Sequence, residues 1–312
     1  MHGALGVVWG KSRAGDSVHL LLGHLLDTAA VGELVWDRFL SPAVRDRCDA
    51  DTDGRGRLFF SLLCGLHDVG KATPAFQMKD EALAAGVRAA GLDWRALSPE
   101  QGHQWHHTYG DESWRVAQAA FVARVAADLG TDLAAFQTLS RPRRAGQLTL
   151  SSLTIMADWI ASDETHFRGQ ANLETISLEG ARERARTAWA KLGLRGGWRP
   201  GAPAPRGERD LVRFRFERKA RETQAKAVAV AEEMPAPGLM IIEAPMGEGK
   251  TEAALVAAEV LARRFGADGV FVGMPTQATS DPMFGRVRRW LGSIDREVPI
   301  GLLPGRARFD NK

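Results

Sequence analysis

Apolar residues in the first 190 or so positions recur at steps of three and four, the spacing that places them on one face of a helix. This pattern predicts helices at residues 24–39 and 58–69, and another that begins after Asp111, a suitable N-cap. It predicts two more at residues 148–161 and 178–192. Alternation typical of strands is nearly absent, so this region is predicted to be all-α.

The pattern changes beyond residues 194–209, a segment rich in Gly, Pro and Arg. Two short apolar runs, GLMIIEAP and GVFVGMP, then alternate with the helical patterns TEAALVAAEVLARRF and PMFGRVRRWL. Strands separated by helices of this length predict a parallel α/β sheet. The predicted organisation is an all-α domain at residues 1–195, a basic Gly/Pro-rich linker at 196–212, and the N-terminal part of an α/β domain at 213–312.

Composition is typical of a globular chain with two domains: 312 residues, of which 45% are hydrophobic and 25% charged. No apolar stretch approaches the roughly 20 residues that cross a bilayer, and the N-terminus has no secretion or lipid-anchor signal. We therefore expect a cytoplasmic protein without membrane contact. Two cysteines are too few for a disulfide framework or a four-thiolate zinc site.

Charge is unevenly distributed, although the formal net charge is only +3. Residues 182–226 contain 14 Lys or Arg against 5 Asp or Glu. Such an excess could contact nucleic-acid phosphates. A solvated helix face followed by a charged linker would give the same composition, so both interpretations stay open.

One carboxylate stands out inside an apolar helix. Asp158 lies in LTIMADWIAS, where an unpaired charge would be costly to bury. Ser151, Thr154 and Ser162 share its helical face, so a narrow polar stripe runs along an otherwise hydrophobic helix. This stripe is predicted to face another polar group in the interior.

Several histidines lie close to predicted helix ends. They are His24, the adjacent pair His67 and Asp68, and the pair His106 and His107. Imidazole and carboxylate together suit Mn, Fe, Co, Ni or Zn. Two such ions could activate a water and neutralise a phosphodiester, with Lys71 as an assisting cation. Helix capping, surface histidines and a hydroxyl-bonded core aspartate are the alternative explanations for the same residues.

The N-terminal sequence resembles the HD-domain nuclease half of the CRISPR-associated type I helicase-nuclease family at WGKS, HLLDTAAVGELVW, LHDVGKATPAFQ, the His pair and LTIMADWIASDETHF. The resemblance covers most of residues 7–198. It implies an all-α HD domain that is a metal-dependent nuclease for single-stranded DNA. It also implies that the type I CRISPR surveillance complex recruits this nuclease. It also implies one or two divalent ions (Mn, Fe, Co or Ni), with ligands at His24, His67, Asp68, His106, His107 and Asp158, and catalytic roles for Asp68 and Lys71.

The sequence departs from the family pattern at two points between the HD motif and the next helix. The family has a further histidine there, for which His103 is the available counterpart. Thr108 follows the paired histidines where the family usually has Gly. One metal position therefore depends on whether His103 replaces the family histidine.

The clearest C-terminal motif is a phosphate-binding loop at residues 244–251, APMGEGKT. It follows a predicted strand and opens a predicted helix, where backbone N–H groups can surround phosphate oxygens. Gly247 and Gly249 would let the loop close around the phosphates. Lys250 would reach the β and γ phosphates and Thr251 would bind Mg²⁺, so ATP and Mg²⁺ are the predicted ligands.

Residues 214–291 resemble the opening of the first RecA-like helicase domain of the same family. The resemblance implies that Gln224 reads adenine, with an exposed helix glutamine as the alternative, and that Thr276 and Gln277 contact the DNA backbone. No Asp-Glu box follows within the 312 residues, so we expect a fragment, a split subunit or a broken gene product. ATPase and helicase activity are not expected of this chain, and a second chain could carry the rest of the helicase.

The sequence therefore predicts a metal-dependent DNA nuclease of the HD family, attached to an incomplete helicase domain and acting in antiviral type I CRISPR interference. Two other functions stay open. One is an HD phosphohydrolase that acts on nucleotides, and the other is a catalytically dead remnant that binds DNA or the surveillance complex.

Overall fold

The structure is a computed structural model that describes residues 2–14, 17–92, 110–197, 210–267, 269–295, 298 and 300–301. The chain divides into two compact units. The first contains Met1–Phe39 and Val44–Arg195, and the second contains Leu40–Ala43 and Gly196–Lys312. None of the helices within the described ranges is both long and apolar enough to cross a membrane.

Helices make up most of the first unit. They are α1 (His2–Leu5), α2 (Leu21–Leu34), α3 (Pro42–Ala50), α4 (Gly56–Leu66), α5 (Pro74–Gln77), α6 (Glu81–Ala89), α7 (Glu112–Asp128), α8 (Arg144–Ala161) and α9 (Leu178–Leu192). A π-helical turn (Val35–Phe39) continues α2, and three 3-10 turns lie at Val69–Lys71, Leu133–Phe136 and Leu173–Thr175. The predicted N-cap of α7 is confirmed, since the backbone N–H of Ser113 donates to Asp111 at 2.9 Å.

The central element of this unit is α2, in which every residue from Leu21 to Glu33 is buried. Its sequence is apolar on nearly all sides, which is typical of a helix surrounded by others, and it packs against α4, α8 and α9. Gly32 allows the close approach of α4, because a Cβ there would lie 2.8 Å from the Sγ atom of Cys64.

Two carboxylates of α2 are buried and paired with arginines of α9. The Asp27 carboxylate lies 2.6 Å from a guanidinium nitrogen of Arg184, and the Glu33 carboxylate lies 2.7 Å from Arg182. Both arginines belong to the basic segment 182–226. Part of that positive charge therefore holds the first unit together and is not available to phosphates.

A short antiparallel hairpin precedes α2, formed by β1 (Trp9–Ala14) and β2 (Ser17–Leu20), with Trp9 opposite Leu20. The sequence pattern did not predict it, because four to six residues without regular alternation give no strand signal. The buried Gln77 side chain fixes β1: it accepts from the Trp9 N–H at 3.2 Å and donates to the Trp9 carbonyl at 2.8 Å.

The second unit contains α10 (Leu211–Phe216), α11 (Glu222–Glu233), α12 (Lys250–Phe265) and α13 (Gln277–Ile294). Its two apolar clusters are Leu211, Val212, Val228, Ala231, Val256, Ala257 and Val260, and then Leu255, Ala262, Trp290 and Ile294. A buried ion pair joins α10 to α12, with a guanidinium nitrogen of Arg215 2.6 Å from the Glu259 carboxylate.

The predicted parallel sheet does not occur in the described part of the second unit. Residues 238–245 and 269–275, both predicted as buried strands, have no strand pairing. Leu239 is 86% exposed and Phe271 is 87% exposed. A strand depends on hydrogen bonds to neighbouring strands, and the described residues provide no such neighbour. The predicted α/β sheet is therefore not observed among the described residues, and α10 begins at Leu211, inside the predicted linker.

Candidate metal centre

Two helices and the end of a third bring four of the predicted ligands together. His24 lies on α2, His67 and Asp68 follow the last residue of α4, and Asp158 lies on α8. The backbone leaves α4 at this point and enters the 3-10 turn, so both side chains of the His-Asp pair face the cluster. Each of the four residues offers one ligand atom, and these atoms all lie within 4.8 Å of one another.

The two imidazoles face the same two carboxylate oxygens. The Nε2 atom of His24 lies 3.3 Å from Asp68 Oδ2 and 3.2 Å from Asp158 Oδ1. The Nε2 atom of His67 lies 3.4 Å from Asp68 Oδ2 and 3.2 Å from Asp158 Oδ1. Neither Nε2 atom has a hydrogen-bond partner among the described residues.

These separations suit a coordinated metal ion. Four N and O ligands held at about 2.1 Å in a tetrahedron would be about 3.4 Å apart. Two buried imidazole nitrogens without a hydrogen-bond partner would otherwise be costly. The set of two imidazoles and two carboxylates, without a thiolate among them, suits a divalent transition metal.

Neighbouring groups orient the candidate ligands. The Nδ1 atom of His67 lies 2.7 Å from the carbonyl oxygen of Cys64, so a proton on Nδ1 would donate to that oxygen and leave Nε2 free for a metal. The hydroxyl of Ser162 donates to Asp158 Oδ1 at 3.2 Å. His24 is fully buried, whereas the side chain of Asp158 is 30% exposed. The cluster is therefore accessible from its Asp158 side.

The pKa values of the cluster show its strong internal electrostatics. Burial lowers the pKa of His67, but the Asp158 and Asp68 carboxylates outweigh that effect and raise the pKa to about 9. Burial raises the pKa of Asp68, but both histidine rings and the ammonium group of Lys71 outweigh it and hold the pKa well below its usual range. The two histidines likewise hold the pKa of Asp158 well below its usual range, against an opposing effect of burial.

Two lysines lie next to the cluster. The Nζ atom of Lys71 is 2.5 Å from Asp68 Oδ2. Lys11, on β1, donates to the backbone carbonyl of Ser162 at 2.8 Å. Burial lowers the pKa of Lys11, and the positive charge of Lys71 adds to that effect, whereas Glu164, Asp158 and Asp163 oppose it. Sequence reasoning selected Lys71 but gave Lys11 no role, although it belongs to the WGKS string.

Behind His24 lies a second buried group that sequence reasoning missed. The ring of His19 packs edge-on to the ring of His24, with centroids 6.0 Å apart. His19 Nε2 lies 3.5 Å from Asp27, which Arg184 holds from the other side. The visible signal was Asp27, a carboxylate within the apolar sequence of α2. Its partner Arg184 lies 157 positions away, so no local pattern connects the two residues.

The remaining candidate ligands lie outside the described residues. These are His106 and His107, together with His103, the counterpart of the additional family histidine. The predicted polar stripe of α8 does reach the cluster, because Asp158 faces both histidines and Ser162 bonds to it.

The phosphate-binding loop of the second unit has the predicted backbone turns. Gly247 and Gly249 have φ angles of 85° and 75°, which favour glycine. The ammonium group of Lys250 donates to the loop's own carbonyls, 2.5 Å from Ala244 and 3.0 Å from Pro245. The hydroxyl of Thr251 accepts from Arg286 at 3.3 Å. The two side chains predicted to hold phosphate and Mg²⁺ thus have partners within the chain.

Gln224 is not the exposed helix residue of the alternative interpretation, because only 6% of it is exposed. Its amide donates to the carbonyl of Gly249 at 3.2 Å and accepts from the backbone N–H of Arg221 at 3.0 Å. It borders a cavity of about 710 Å³ together with Lys250 and Thr251. Thr276 bonds within its own helix start, to Thr279, and the side chain of Gln277 lies outside the described residues.

Comparison with known proteins identifies the first unit. The family model described as "Cas3, HD domain" matches residues 9–110 and 96–167, about half of the chain. The CRISPR-associated endonuclease/helicase Cas3 of Thermus thermophilus is 33% identical over 91% of this chain and 35% of its own length. The nuclease/helicase Cas3 of Streptococcus thermophilus is 28% identical over 97% of this chain and 40% of its own length.

Solved structures of CRISPR-associated proteins are also similar to this chain. A crystal structure of a CRISPR-associated protein is 29% identical with a TM-score of 0.75, and the match covers 94% of this chain and 38% of that one. A chain in a CRISPR RNA-guided surveillance complex, pre-nicking, has a TM-score of 0.60 over 90% of this chain and 38% of that chain; at 22% identity it shows likeness of fold alone. This chain spans about 35–40% of the length of the curated relatives that it matches.

Proposed function

The chain belongs to the Cas3 HD-domain family, and we propose that its first unit is a metal-dependent nuclease that cleaves single-stranded DNA in type I CRISPR interference. The observation that carries the proposal is the cluster of two imidazole nitrogens and two carboxylate oxygens within 4.8 Å of one another. The nuclease/helicase names of the relatives support the substrate class.

His24, His67, Asp68 and Asp158 would hold a divalent ion such as Mn²⁺, Fe²⁺, Co²⁺ or Ni²⁺. A bound ion supplies an activated water and neutralises charge on the phosphodiester that is attacked. His106 and His107 remain proposed metal ligands because of the resemblance of their sequence to the family pattern. A cytoplasmic location and the antiviral role belong to the same proposal.

The chain's own residues prepare the site for a phosphate. The Cys64 carbonyl orients the ring of His67 and Ser162 orients Asp158, so each presents its ligand atom inward. The ammonium of Lys71, 2.5 Å from Asp68, keeps that carboxylate ionised. Lys71 and Lys11 together place positive charge beside a cluster that would otherwise repel the phosphate backbone.

The second unit is proposed to be the N-terminal part of a RecA-like helicase domain that can bind ATP and Mg²⁺ at Gly247, Gly249, Lys250 and Thr251, with Gln224 beside them. The left-handed backbone conformations of Gly247 and Gly249, which let the loop close around phosphates, support nucleotide binding. The surveillance complex and a further helicase segment, in the same or a second chain, are the proposed partners. Both rest on the family and on its nuclease/helicase members.

A cleavage assay on matched substrates tests the proposed nuclease. With Mn²⁺, the protein should cut a labelled single-stranded oligonucleotide and leave the same sequence in duplex form largely intact. EDTA should abolish cleavage, and rising salt should weaken it, because phosphate contacts are salt-dependent.

The other two functions would give different results. Hydrolysis of free nucleotides with intact oligonucleotides would indicate a nucleotide phosphohydrolase. Binding of DNA without cleavage, together with much less than one metal ion per chain, would indicate a catalytically dead module.

A further inference from the structure

An apolar groove, which we call the α4–α8 groove, borders the metal cluster and has a volume of about 460 Å³. Its apolar wall consists of Phe59, Leu63, Pro142, Leu150 and Ile155. Its polar wall consists of Gln147, Ser151 and Thr154. At one end it reaches His67 and Asp158, so it is continuous with the site where a phosphodiester would be attacked.

The walls of the groove have no charge that would hold a phosphate. None of the described residues that line it is a lysine or arginine, and its lining residues other than His67 and Asp158 are uncharged. Neither lysine of the site lines the groove: Lys71 pairs with Asp68, and Lys11 binds the Ser162 carbonyl. Phosphate contacts and the groove are therefore separate parts of the site.

The polar side chains of the groove are mostly engaged. The hydroxyl of Thr154 donates to the carbonyl of Leu150 at 2.9 Å, and the amide of Gln147 donates to the carbonyl of Pro142 at 2.6 Å. Specific reading of a base requires hydrogen bonds to its edge. A groove with these groups already bonded suits a flat apolar ring of any sequence, as in binding sites that do not select among bases.

We propose that the α4–α8 groove holds the nucleobase next to the scissile phosphate, without selecting among the four bases. The inference rests on the proposed nuclease function and specifies how the substrate is held. A strand whose phosphate lies at the cluster must direct its neighbouring nucleosides away from it, and the groove is the apolar space that begins at two candidate ligands. Its volume lies within the range of 300 to 1,000 Å³ typical of pockets that bind small molecules.

An oligothymidylate with one central abasic residue tests the inference in a single molecule. At limiting digestion with Mn²⁺, we expect the phosphate on one side of the abasic residue to be cut at least about fivefold less often than the same phosphate in the intact strand. Distant phosphates in the same molecule serve as the internal reference. Uniform cutting along both strands would overturn the inference.

Two neighbouring serines of α8 provide a matched pair of variants. Ser151 and Ser152 are both exposed, but Ser151 lines the groove and Ser152 does not. In Ser151→Trp, which fills the groove, the remaining cleavage should be the same beside the abasic and the normal residue. Ser152→Trp should keep the wild-type difference, and both variants should bind as much Mn²⁺ as the wild type.

These results separate the inference from the function on which it rests. If wild-type protein binds Mn²⁺ and cuts neither strand, the nuclease proposal fails and the inference fails with it. If it cuts both strands but Ser151→Trp keeps the abasic effect, the nuclease proposal stands and the groove does not hold the base. If Ser151→Trp is as active as the wild type on intact strands, the groove serves another partner and the inference is overturned.

Discussion

His67 and Lys250 both belong to motifs that act on phosphates, yet their surroundings differ. His67 presents Nε2 to the carboxylates of Asp68, its neighbour in the sequence, and of Asp158 on α8, and this atom has no hydrogen-bond partner among the described residues. Lys250 folds back on the carbonyls of its own loop. The first site is assembled by long-range packing of helices. The second has its local loop geometry, but the segment before the loop has no strand partner among the described residues.

The difference follows from what each site requires. The ligands of the metal cluster lie on α2 and α8 and directly after α4. Helices satisfy their backbone hydrogen bonds internally, so each can form without a neighbouring strand. The phosphate-binding loop joins a predicted strand to a helix. In the described residues that segment has no strand pairing and is largely exposed, with Leu239 86% and Ile241 73% exposed. A loop supported by a helix on one side alone is a weaker basis for catalysis than a cluster enclosed by three helical segments.

The largest expected effect is on DNA cleavage, which should respond to a mutation in the metal cluster but not to one in the phosphate-binding loop. Asp68→Asn should reduce metal-dependent DNA cleavage at least about a hundredfold, because changes to the partners of metal ligands alone cost 10- to 100-fold. Lys250→Ala, which alters the phosphate-binding loop, should leave cleavage unchanged. The measurement is the initial rate on single-stranded DNA with Mn²⁺. Equal losses in both variants would show that the comparison is wrong.

Buried ion pairs test whether the two units are stabilised separately. Asp27→Asn in the first unit removes the buried carboxylate that pairs with Arg184, and Glu259→Gln in the second removes the one that pairs with Arg215 and Arg263. Breaking a buried pair in this way costs about 3–5 kcal/mol. Both variants should lower the thermal unfolding midpoint. Glu259→Gln should keep full Mn²⁺ binding and nuclease activity at temperatures where the first unit is folded. Loss of metal in Glu259→Gln would contradict this.

Metal affinity of the first site should depend on pH. The raised pKa of His67, about 9, means that its ring is protonated at neutral pH in the metal-free protein. A metal must displace that proton, so the apparent affinity for Mn²⁺ should rise up to about tenfold per pH unit between about pH 7 and pH 9, then level off. Titrations at several pH values measure this slope. An affinity independent of pH in this range would contradict the combination of a raised His67 pKa and metal binding by its ring.

The smallest expected effect concerns ATP. The polypeptide of residues 1–312 should show no phosphate release above background, with or without single-stranded DNA, because no Asp-Glu pair follows Thr251 in these residues to hold Mg²⁺ and position the attacking water. Weak nucleotide binding is compatible with the loop geometry. A DNA-stimulated ATPase rate that Lys250→Ala abolishes would contradict this expectation.

Helix formation was the part of the fold that the sequence predicted well. Periodicity located α9 at its observed bounds, and an N-cap residue marked the start of α7. Both signals are local, so they can be recognised without the rest of the structure. The hairpin was missed because its strands are short and irregular, and two strands were predicted that the described residues do not form, because strand pairing depends on distant segments.

For the candidate site, the sequence predicted the ligand residues but not the contacts that support them. The adjacent His67 and Asp68, and the unusual position of Asp158 in an apolar helix, are visible in the sequence. The roles of Lys11, His19 and Gln77 were not visible, because each depends on a distant contact: the Ser162 carbonyl for Lys11, the backbone N–H of Gln170 for His19, and the backbone of Trp9 for Gln77. Residue type indicates chemistry, whereas these supporting contacts come from tertiary packing.

Anomalous diffraction from crystals of the Mn²⁺-loaded protein is the most direct test of the central claim. We expect an anomalous peak about 2.0–2.2 Å from His24 Nε2, His67 Nε2 and carboxylate oxygens of Asp68 and Asp158. A metal found elsewhere in the protein, with both Nε2 atoms outside its coordination sphere, would contradict the claim that this cluster is the metal centre.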